Sequence, residues 1–322
     1  MIRFGLIGTS EIAEKMAQAM HLSPKTTPWA IYSRSAEKAA LFASRHRIPY
    51  PCSTLEELVE KVDAVYVASP NSLHCSQTIF FLERKIPVLC EKPLASNLAE
   101  VNRMIETAQN NNVYLAEAYK SQYLPAYGVM KEKLPTLGKI RNATFSFCKY
   151  SSRYDAHMRG EDVNTFKAEF SNGALLDLGV YCLYPALDLF GAPKSVLSSG
   201  VLVPGGVDGV GCTVMNYDDF LVTLQYSKVS TASRLCEIQG ELGTMTVDAI
   251  SCPRVIEIRY NSGDYKAFSP DTEENDMVYE CTAFAEALER GDGVNAKSFR
   301  CAFEILDAAR KMVGVVYPAD HE

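Results

Sequence analysis

In the first third of the chain, short apolar runs alternate with amphipathic segments, and this alternation constrains the fold more than any other feature. Residues 4–7, 29–32, 63–68, 87–90 and 113–115 read as strands, and residues 11–20, 36–45, 73–84 and 99–110 as helices. Within 11–20, Ile12, Met16 and Ala19 fall on one side. Strands separated by helices cannot pair as hairpins. They line up parallel, with helices covering both faces of the sheet. The pattern therefore predicts a doubly wound α/β domain over residues 1–119.

The pattern changes after about residue 120. Residues 140–147 alternate, with Ala143, Phe145 and Phe147 on one face. Further strands are expected near 195–203, 210–216, 220–227, 232–239, 244–248 and 254–260, with Asn216-Tyr217-Asp218-Asp219 as turn chemistry between two of them. Two helices, 276–290 and 298–313, close the chain around Gly291-Asp292-Gly293. Residues 120–322 are thus expected to form an α+β domain with an open, mostly antiparallel sheet.

The 322 residues carry a net charge of -7, which argues against nucleic acid or an acidic membrane surface as partner. None of the ten cysteines is spaced C-x-x-C, so no metal site is expected. They sit mostly in apolar runs, as reduced cytosolic thiols do. Residues 1–7 are too short for a signal sequence and read as a strand, and no apolar run looks long enough to span a bilayer. The expected location is the cytoplasm.

Gly8-Thr9-Ser10-Glu11-Ile12-Ala13 lies between the first strand and the first helix. It is a G-x-G-x-x-A dinucleotide fingerprint with Ser10 in the second glycine's place, which makes the first domain a Rossmann domain. Free amides at a helix start favour a pyrophosphate. NAD-binding chains usually end the second strand on Asp or Glu, whereas this one has Ser33-Arg34-Ser35. Arg34 can grip a ribose 2′-phosphate, and Lys38, one turn on, adds charge, so NADP(H) is favoured over NAD(H). The strand 63–68 runs into Ser69-Pro70-Asn71, with His74 opening the next helix. His74 either touches cofactor or caps that loop.

Hydride chemistry needs a proton donor or acceptor on the substrate oxygen. One candidate is Lys92 in Glu91-Lys92-Pro93, held by the following proline. The other is the pair Asp177 and Tyr181, one helical turn apart if that segment is helical, with Asp177 the only charge between Phe170 and Asp188. A cation beside Tyr181 favours its phenolate and makes it a usable acid–base. Asp177 then orients Lys92 or a substrate hydroxyl.

Together, Gly8 to Ala13, Asp63-Ala64-Val65-Tyr66-Val67, Pro70-Asn71-Ser72-Leu73-His74, Glu91-Lys92-Pro93 and Gly173-Ala174-Leu175-Leu176-Asp177-Leu178-Gly179-Val180-Tyr181 resemble the glucose-fructose oxidoreductase, inositol dehydrogenase and MocA family. The resemblance runs the whole chain. It implies an active-site lysine at Lys92, often with a cis Lys-Pro bond, cofactor loops at Thr9 to Ile12, Ser33, Arg34, Lys38, Ser69 to His74, Glu91 and Lys92, and homodimers or larger assemblies through the second sheet. Tyr181, where many members have His, is similar to the branch of dihydrodiol and xylose dehydrogenases. Lys120, Gln122, Phe166, Lys167 and Tyr279 match residues that face substrate in relatives, and the loop 151–165, with Arg153, Tyr154, His157 and Arg159, borders the expected pocket. Ser10, Ser171-Asn172 and Gln122 depart from the family's pattern, the last where relatives often carry Arg.

The expected function is NADP(H)-dependent hydride transfer to or from a hydroxyl or carbonyl carbon of a small sugar or polyol. A trans-dihydrodiol dehydrogenase or dicarbonyl reductase keeps the same chemistry. A non-catalytic dinucleotide-sensing regulator is the reading from another class, and the presence of both Lys92 and Tyr181 tells against it.

Overall fold

A computed structural model describes residues 1–321 of the 322. The chain divides into two compact units, Met1–Lys120 with Glu273–Arg300, and Ser121–Thr272 with the residues from Cys301 onward. A single boundary after residue 119 leaves out the return of Glu273–Arg300 to the first unit. Apolar burial accounts for that return. In the helix Met277–Arg290, Met277, Cys281 and Phe284 are buried in the first unit's core, with Phe284 5.5 Å from Phe4 and 5.1 Å from Tyr114 between ring centres.

In the first unit, strands β1 (Ile2–Ile7), β2 (Thr26–Tyr32), β3 (Tyr50–Cys52), β4 (Ala64–Val67), β5 (Val88–Glu91) and β6 (Leu115–Ala118) form one sheet. Helices α1 (Glu11–Leu22), α2 (Ala36–His46), α3 (Leu55–Val59), α4 (His74–Leu82) and α5 (Leu98–Asn111) connect them. The strand order is β3-β2-β1-β4-β5-β6, and every pair is parallel. The expected doubly wound fold is what the chain adopts. The β3–α3 step, absent from the apolar pattern, is an addition: Tyr50 and Pro51 are exposed, so this short edge strand has no hydrophobic signature. Caps fix the later helices, with Asn97 accepting from the Glu100 amide at 2.9 Å and Thr54 from the Glu57 amide at 3.2 Å.

In the second unit, β7 (Ile140–Cys148), β8 (Ser195–Val203), β9 (Val207–Asn216), β10 (Leu221–Ser227), β11 (Cys236–Gly240), β12 (Gly243–Val247), β13 (Ile256–Tyr260) and β14 (Tyr265–Phe268) form an eight-stranded sheet. Its order is β14-β13-β12-β11-β7-β10-β9-β8, antiparallel except for β7 against β10. The alternation read in the sequence is the burial pattern here: Ala143 and Phe145 point into the core with Val222, Leu224 and Ile238. The helix Val180–Phe190 packs on that face.

The segment before that helix departs from a regular helix. Leu175–Gly179 makes a π-helical turn, a form that occurs mainly as single turns and often at functional sites. By length and composition the run Ala168–Phe190 is apolar enough to cross a bilayer, which corrects the expectation that no run reaches that length. Of its most apolar window, 56% is buried inside the protein, so here it serves as a core element.

Candidate functional site

The candidate residues fall in two groups, one in each unit. In the first unit, register gathers them at one edge. Ile7 pairs with Tyr32 and Val67, Val67 with Cys90, and Glu91 with Ala118, so the carboxyl ends of β1, β2, β4, β5 and β6 stand side by side. Gly8 to Ile12, Ser33 to Lys38, Ser69 to His74, Lys92 and Lys120 follow those ends, and Glu91 closes β5. The order reverses between β1 and β4, and open parallel sheets bind ligands at such a switch point.

Gly8 has φ +106°, and a Cβ there would lie 2.6 Å from the Ala68 carbonyl oxygen, so only glycine allows the turn to close on the β4 strand. Ser10 precedes α1 in extended conformation and makes no side-chain cap bond, leaving the first amides of α1 to be satisfied from outside the helix. Arg34 and Lys38 are exposed beyond β2, while Ser35 Oγ accepts from the Lys38 amide at 3.3 Å. This turn and these amides fit the pyrophosphate of a dinucleotide.

The His74 ring is built into the loop itself. Its Nε2 lies 2.9 Å from the Ser69 carbonyl oxygen and its Nδ1 2.8 Å from that of Pro93, and the ring is buried. It ties the loop after β4 to the turn after β5. Burial lowers its pKa, with the Lys92 charge adding to that, although both carbonyl oxygens pull the other way. The Lys92-Pro93 peptide is cis. The turn it begins is held by two buried acids: Glu117 accepts from the Leu94 amide at 2.7 Å and Glu100 from the Ser96 amide at 2.8 Å.

Around Glu91 lies a cluster of acids, two of which, Asp276 and Glu280, sequence reasoning passed over. Glu91 accepts from the Tyr66 hydroxyl and, at 3.1 Å, from the Lys92 amide. Lys120 Nζ bonds Asp276 at 2.7 Å. Glu280 is 1% exposed, and its Oε2 has no hydrogen-bond partner among the described residues. Burial pushes the Glu280 carboxyl well up, the Glu91 and Asp276 charges push it further, and Lys120 opposes them. Glu91 is raised by burial too, against Lys92 and the Tyr66 hydrogen bond. Tyr279, next to Glu280, accepts the Glu273 amide on its hydroxyl at 3.0 Å.

In the second unit, Asp177 sits in the π-helical turn and Tyr181 lies in the first turn after it, its ring edge-on to Phe147 at 5.5 Å. Asp177 Oδ2 lies 2.6 Å from Lys228 Nζ, and the Lys228 side chain is only 4% exposed. Lys228 was missed in the sequence, where it stands one residue past β10 as an ordinary turn lysine. Asp208 was missed as well. It is 2% exposed, its Oδ2 accepts the Leu175 amide at 2.7 Å, and burial raises its pKa to about 6. Its only sequence signal is an acid inside the apolar run of β9.

The remaining candidates are more dispersed. Phe166 is fully buried, stacked with His157 at 4.8 Å and packed against Tyr154 at 5.5 Å. Lys167 pairs with Asp162 and, at 3.5 Å, Glu169. Arg159 pairs with Glu161 at 2.6 Å, while Arg153 and Gln122 are exposed. Among the described residues, no three His, Cys, Asp or Glu side chains are grouped as metal ligands.

Comparison with known proteins gives two matches to family models. Residues 2–119 match the oxidoreductase family with NAD-binding Rossmann fold, GFO_IDH_MocA, and residues 135–246 match the GFO/IDH/MocA C-terminal domain. The uncharacterized oxidoreductase YgjR of Escherichia coli is 44% identical, and the scyllo-inositol 2-dehydrogenase (NADP(+)) IolU of Bacillus subtilis 42% identical, each over 99% of both chains. The trans-1,2-dihydrobenzene-1,2-diol dehydrogenase of Danio rerio is 28% identical over 100% of this chain and 99% of its own. Among solved structures, KijD10, a 3-ketoreductase from Actinomadura kijaniata in complex with NADP and TDP-benzene, superposes with a TM-score of 0.87 at 24% identity, covering 98% of this chain and 99% of the other.

Proposed function

This chain belongs to the GFO/IDH/MocA family of oxidoreductases, and from that premise we propose that it transfers a hydride between NADP(H) and a hydroxyl-bearing carbon of a small cyclic polyol or sugar. The observation that carries the cofactor reading is the pairing of a glycine-only turn at Gly8 with Arg34 and Lys38 beyond β2, where NAD-binding chains carry an acid. The cyclic polyol reading draws on the relative at 42% identity named as an NADP(+)-linked inositol dehydrogenase.

When bound, the nicotinamide accepts or gives the hydride. The rest falls to this chain. We assign Tyr181 the proton that leaves or reaches the substrate oxygen, and Lys92 the stabilisation of negative charge on that oxygen. Asp177 orients a substrate hydroxyl. His74 and the acids under residues 94–96 keep the Lys92 turn rigid, so the ammonium needs no reorganisation as charge develops. Lys120, Gln122, Lys167 and Tyr279 are assigned to substrate selection.

One experiment tests this reading. Inositols, aldoses and dihydrodiols are screened by NADPH absorbance with wild type, Lys92→Ala, Tyr181→Phe and Arg34→Asp. The expected result is turnover of a polyol by wild type, loss of at least about a hundredfold in kcat for the first two variants with NADPH still bound, and a selective loss of NADP(H) affinity in the third. Full activity in Tyr181→Phe removes the proposed proton donor. Equal weakening of NAD(H) and NADP(H) in Arg34→Asp removes the phosphate reading.

The outer face of the eight-stranded sheet is the surface we assign to self-association. Leu197 and Val201 are 71% and 62% exposed there, beside a groove of about 380 Å³ lined on that face by Ser199, Val210, Cys212 and Gln225. Light scattering that gives a monomer at micromolar concentration refutes it.

A further inference from the structure

Lys228 occupies an expensive position. Its backbone is fixed on both sides, the amide donating to Gly209 at 2.8 Å and the carbonyl accepting from Ser151 at 2.8 Å. Its side chain is almost wholly buried, so its ammonium has left water and requires compensation from the protein. The partners are unequal. Asp177 Oδ2 stands at 2.6 Å, the Thr165 carbonyl oxygen at the 3.5 Å limit of a hydrogen bond, and the Phe166 ring centre at 5.3 Å. Asp208 adds its field from behind the π-helical turn, where it holds the Leu175 amide.

Two features separate this arrangement from ordinary core packing. A methionine has nearly the same length and costs no desolvation, and apolar replacements of buried ion pairs are commonly neutral or stabilising. The pair is also asymmetric: the Lys228 side chain is 4% exposed and the Asp177 side chain 37%. The buried end is rooted in the sheet and the open end belongs to a candidate catalytic group. The same ammonium reaches the loop that carries Thr165 and Phe166, so one charge binds the acid and the neighbouring loop together.

We propose that Lys228 is a positioning residue for hydride transfer: rooted at the end of β10, it holds the Asp177 carboxylate and the Thr165–Phe166 loop in a single geometry from which Asp177 meets the substrate. The inference rests on the reading of Lys92, Tyr181 and Asp177 as the reacting groups, and adds to it the group that keeps one of them aimed. Misplacement by about 1 Å can cost a hundredfold in rate, which sets the scale of the effect.

The test is Lys228→Met, compared with Lys228→Arg and with the controls Lys92→Ala and Tyr181→Phe. Folding is read by thermal melting and NADPH binding by fluorescence. In Lys228→Met the carboxylate left behind is that of Asp177, 37% exposed and within reach of water, so the variant is expected to melt near wild type and bind NADPH within about twofold, while kcat falls about 10- to 100-fold with little change in KM. The acid limb of its kcat profile moves to higher pH, because Asp177 loses the cation that favours its ionised form. A folded Lys228→Met with wild-type kcat and an unmoved acid limb overturns the proposal. Should Lys228→Met fail to fold, Lys228→Arg decides. It keeps the charge, so kcat within about tenfold of wild type and an unmoved acid limb are expected, and a folded Lys228→Arg as slow as Lys92→Ala overturns the proposal. The controls separate the two failures. Turnover lost in both controls but intact in Lys228→Met overturns the Lys228 assignment alone. Turnover intact in both controls overturns the site reading, and this assignment with it.

Discussion

In the first unit three buried acids, Glu91, Asp276 and Glu280, gather with Lys92 and Lys120, leaving one more acid than bases. In the second unit one buried lysine lies between two acids, bound directly to Asp177 and within the field of Asp208. In the first cluster, burial pushes the Glu280 carboxyl well up and so favours its protonated form. The second keeps charge and places it, with Asp208 accepting a backbone amide at the start of the turn that carries Asp177. A buried charge set can thus be neutralised by a proton or used as a fixture. The two solutions predict different responses to substitution and to pH.

The largest effect is expected where backbone and charge meet. Gly173 has φ +142°, and a Cβ there would stand 2.2 Å from Asp208 Oδ1. Gly173→Ala therefore combines a disfavoured conformation with a direct clash. It is expected to lose about 3–5 kcal/mol, read from the urea midpoint. If Gly173→Ala unfolds at the wild-type midpoint, Asp208 is free to move away, and its role as a fixture fails.

The same contrast explains what was legible beforehand. The six-stranded sheet and its fingerprint could be read because apolar period and chain order carry them, and β1 to α1 is one contiguous signal. The Glu91-Lys92-Pro93 turn was readable for the same reason. The π-helical turn was not, since Leu175-Leu176-Asp177-Leu178-Gly179 has the composition of a regular core helix and its widening comes from tertiary fit. Lys228, just past β10, and Asp208, in β9, stand 51 and 31 residues from Asp177, so only the sheet register brings them to it. Glu280 was hidden by its helix, in which an acid is unremarkable until the buried face is known. The return of Glu273–Arg300 was hidden likewise, because chain order says nothing of which core receives a late helix.

A second prediction sharpens the comparison by pH. The Asp208 carboxyl is raised from 3.8 to about 6 in the folded protein, so folding favours its protonated form. Its contribution is complete below the unfolded value and disappears as pH rises through about 6. Between about pH 4 and 6 the wild type should therefore lose on the order of 3 kcal/mol from this group, with the opposing pull of Lys228 already included. Asp208→Asn keeps an oxygen for the Leu175 amide and cannot ionise. Its melting temperature is expected to stay flatter across that window than wild type's. Parallel curves for the two proteins would show that Asp208 is ionised throughout, and that the second unit stores no protonation energy there.

The smallest effect belongs to the first unit. If Glu280 already carries a proton near neutral pH, Glu280→Gln replaces a neutral group by another of nearly equal size. Removing one partner of a buried ion pair usually costs about 3–5 kcal/mol, but here no pair is broken, and a change within about 1 kcal/mol is expected at pH 7. The sign appears on the alkaline side. An acid whose folded pKa is raised loses stability as pH climbs through that value, so wild type should weaken with rising pH in a way that Glu280→Gln does not. Denaturant midpoints measured at several pH values decide it. A loss of several kcal/mol at pH 7 would mean that Glu280 is ionised and paired with Lys120, which would make both units fixtures of the same kind.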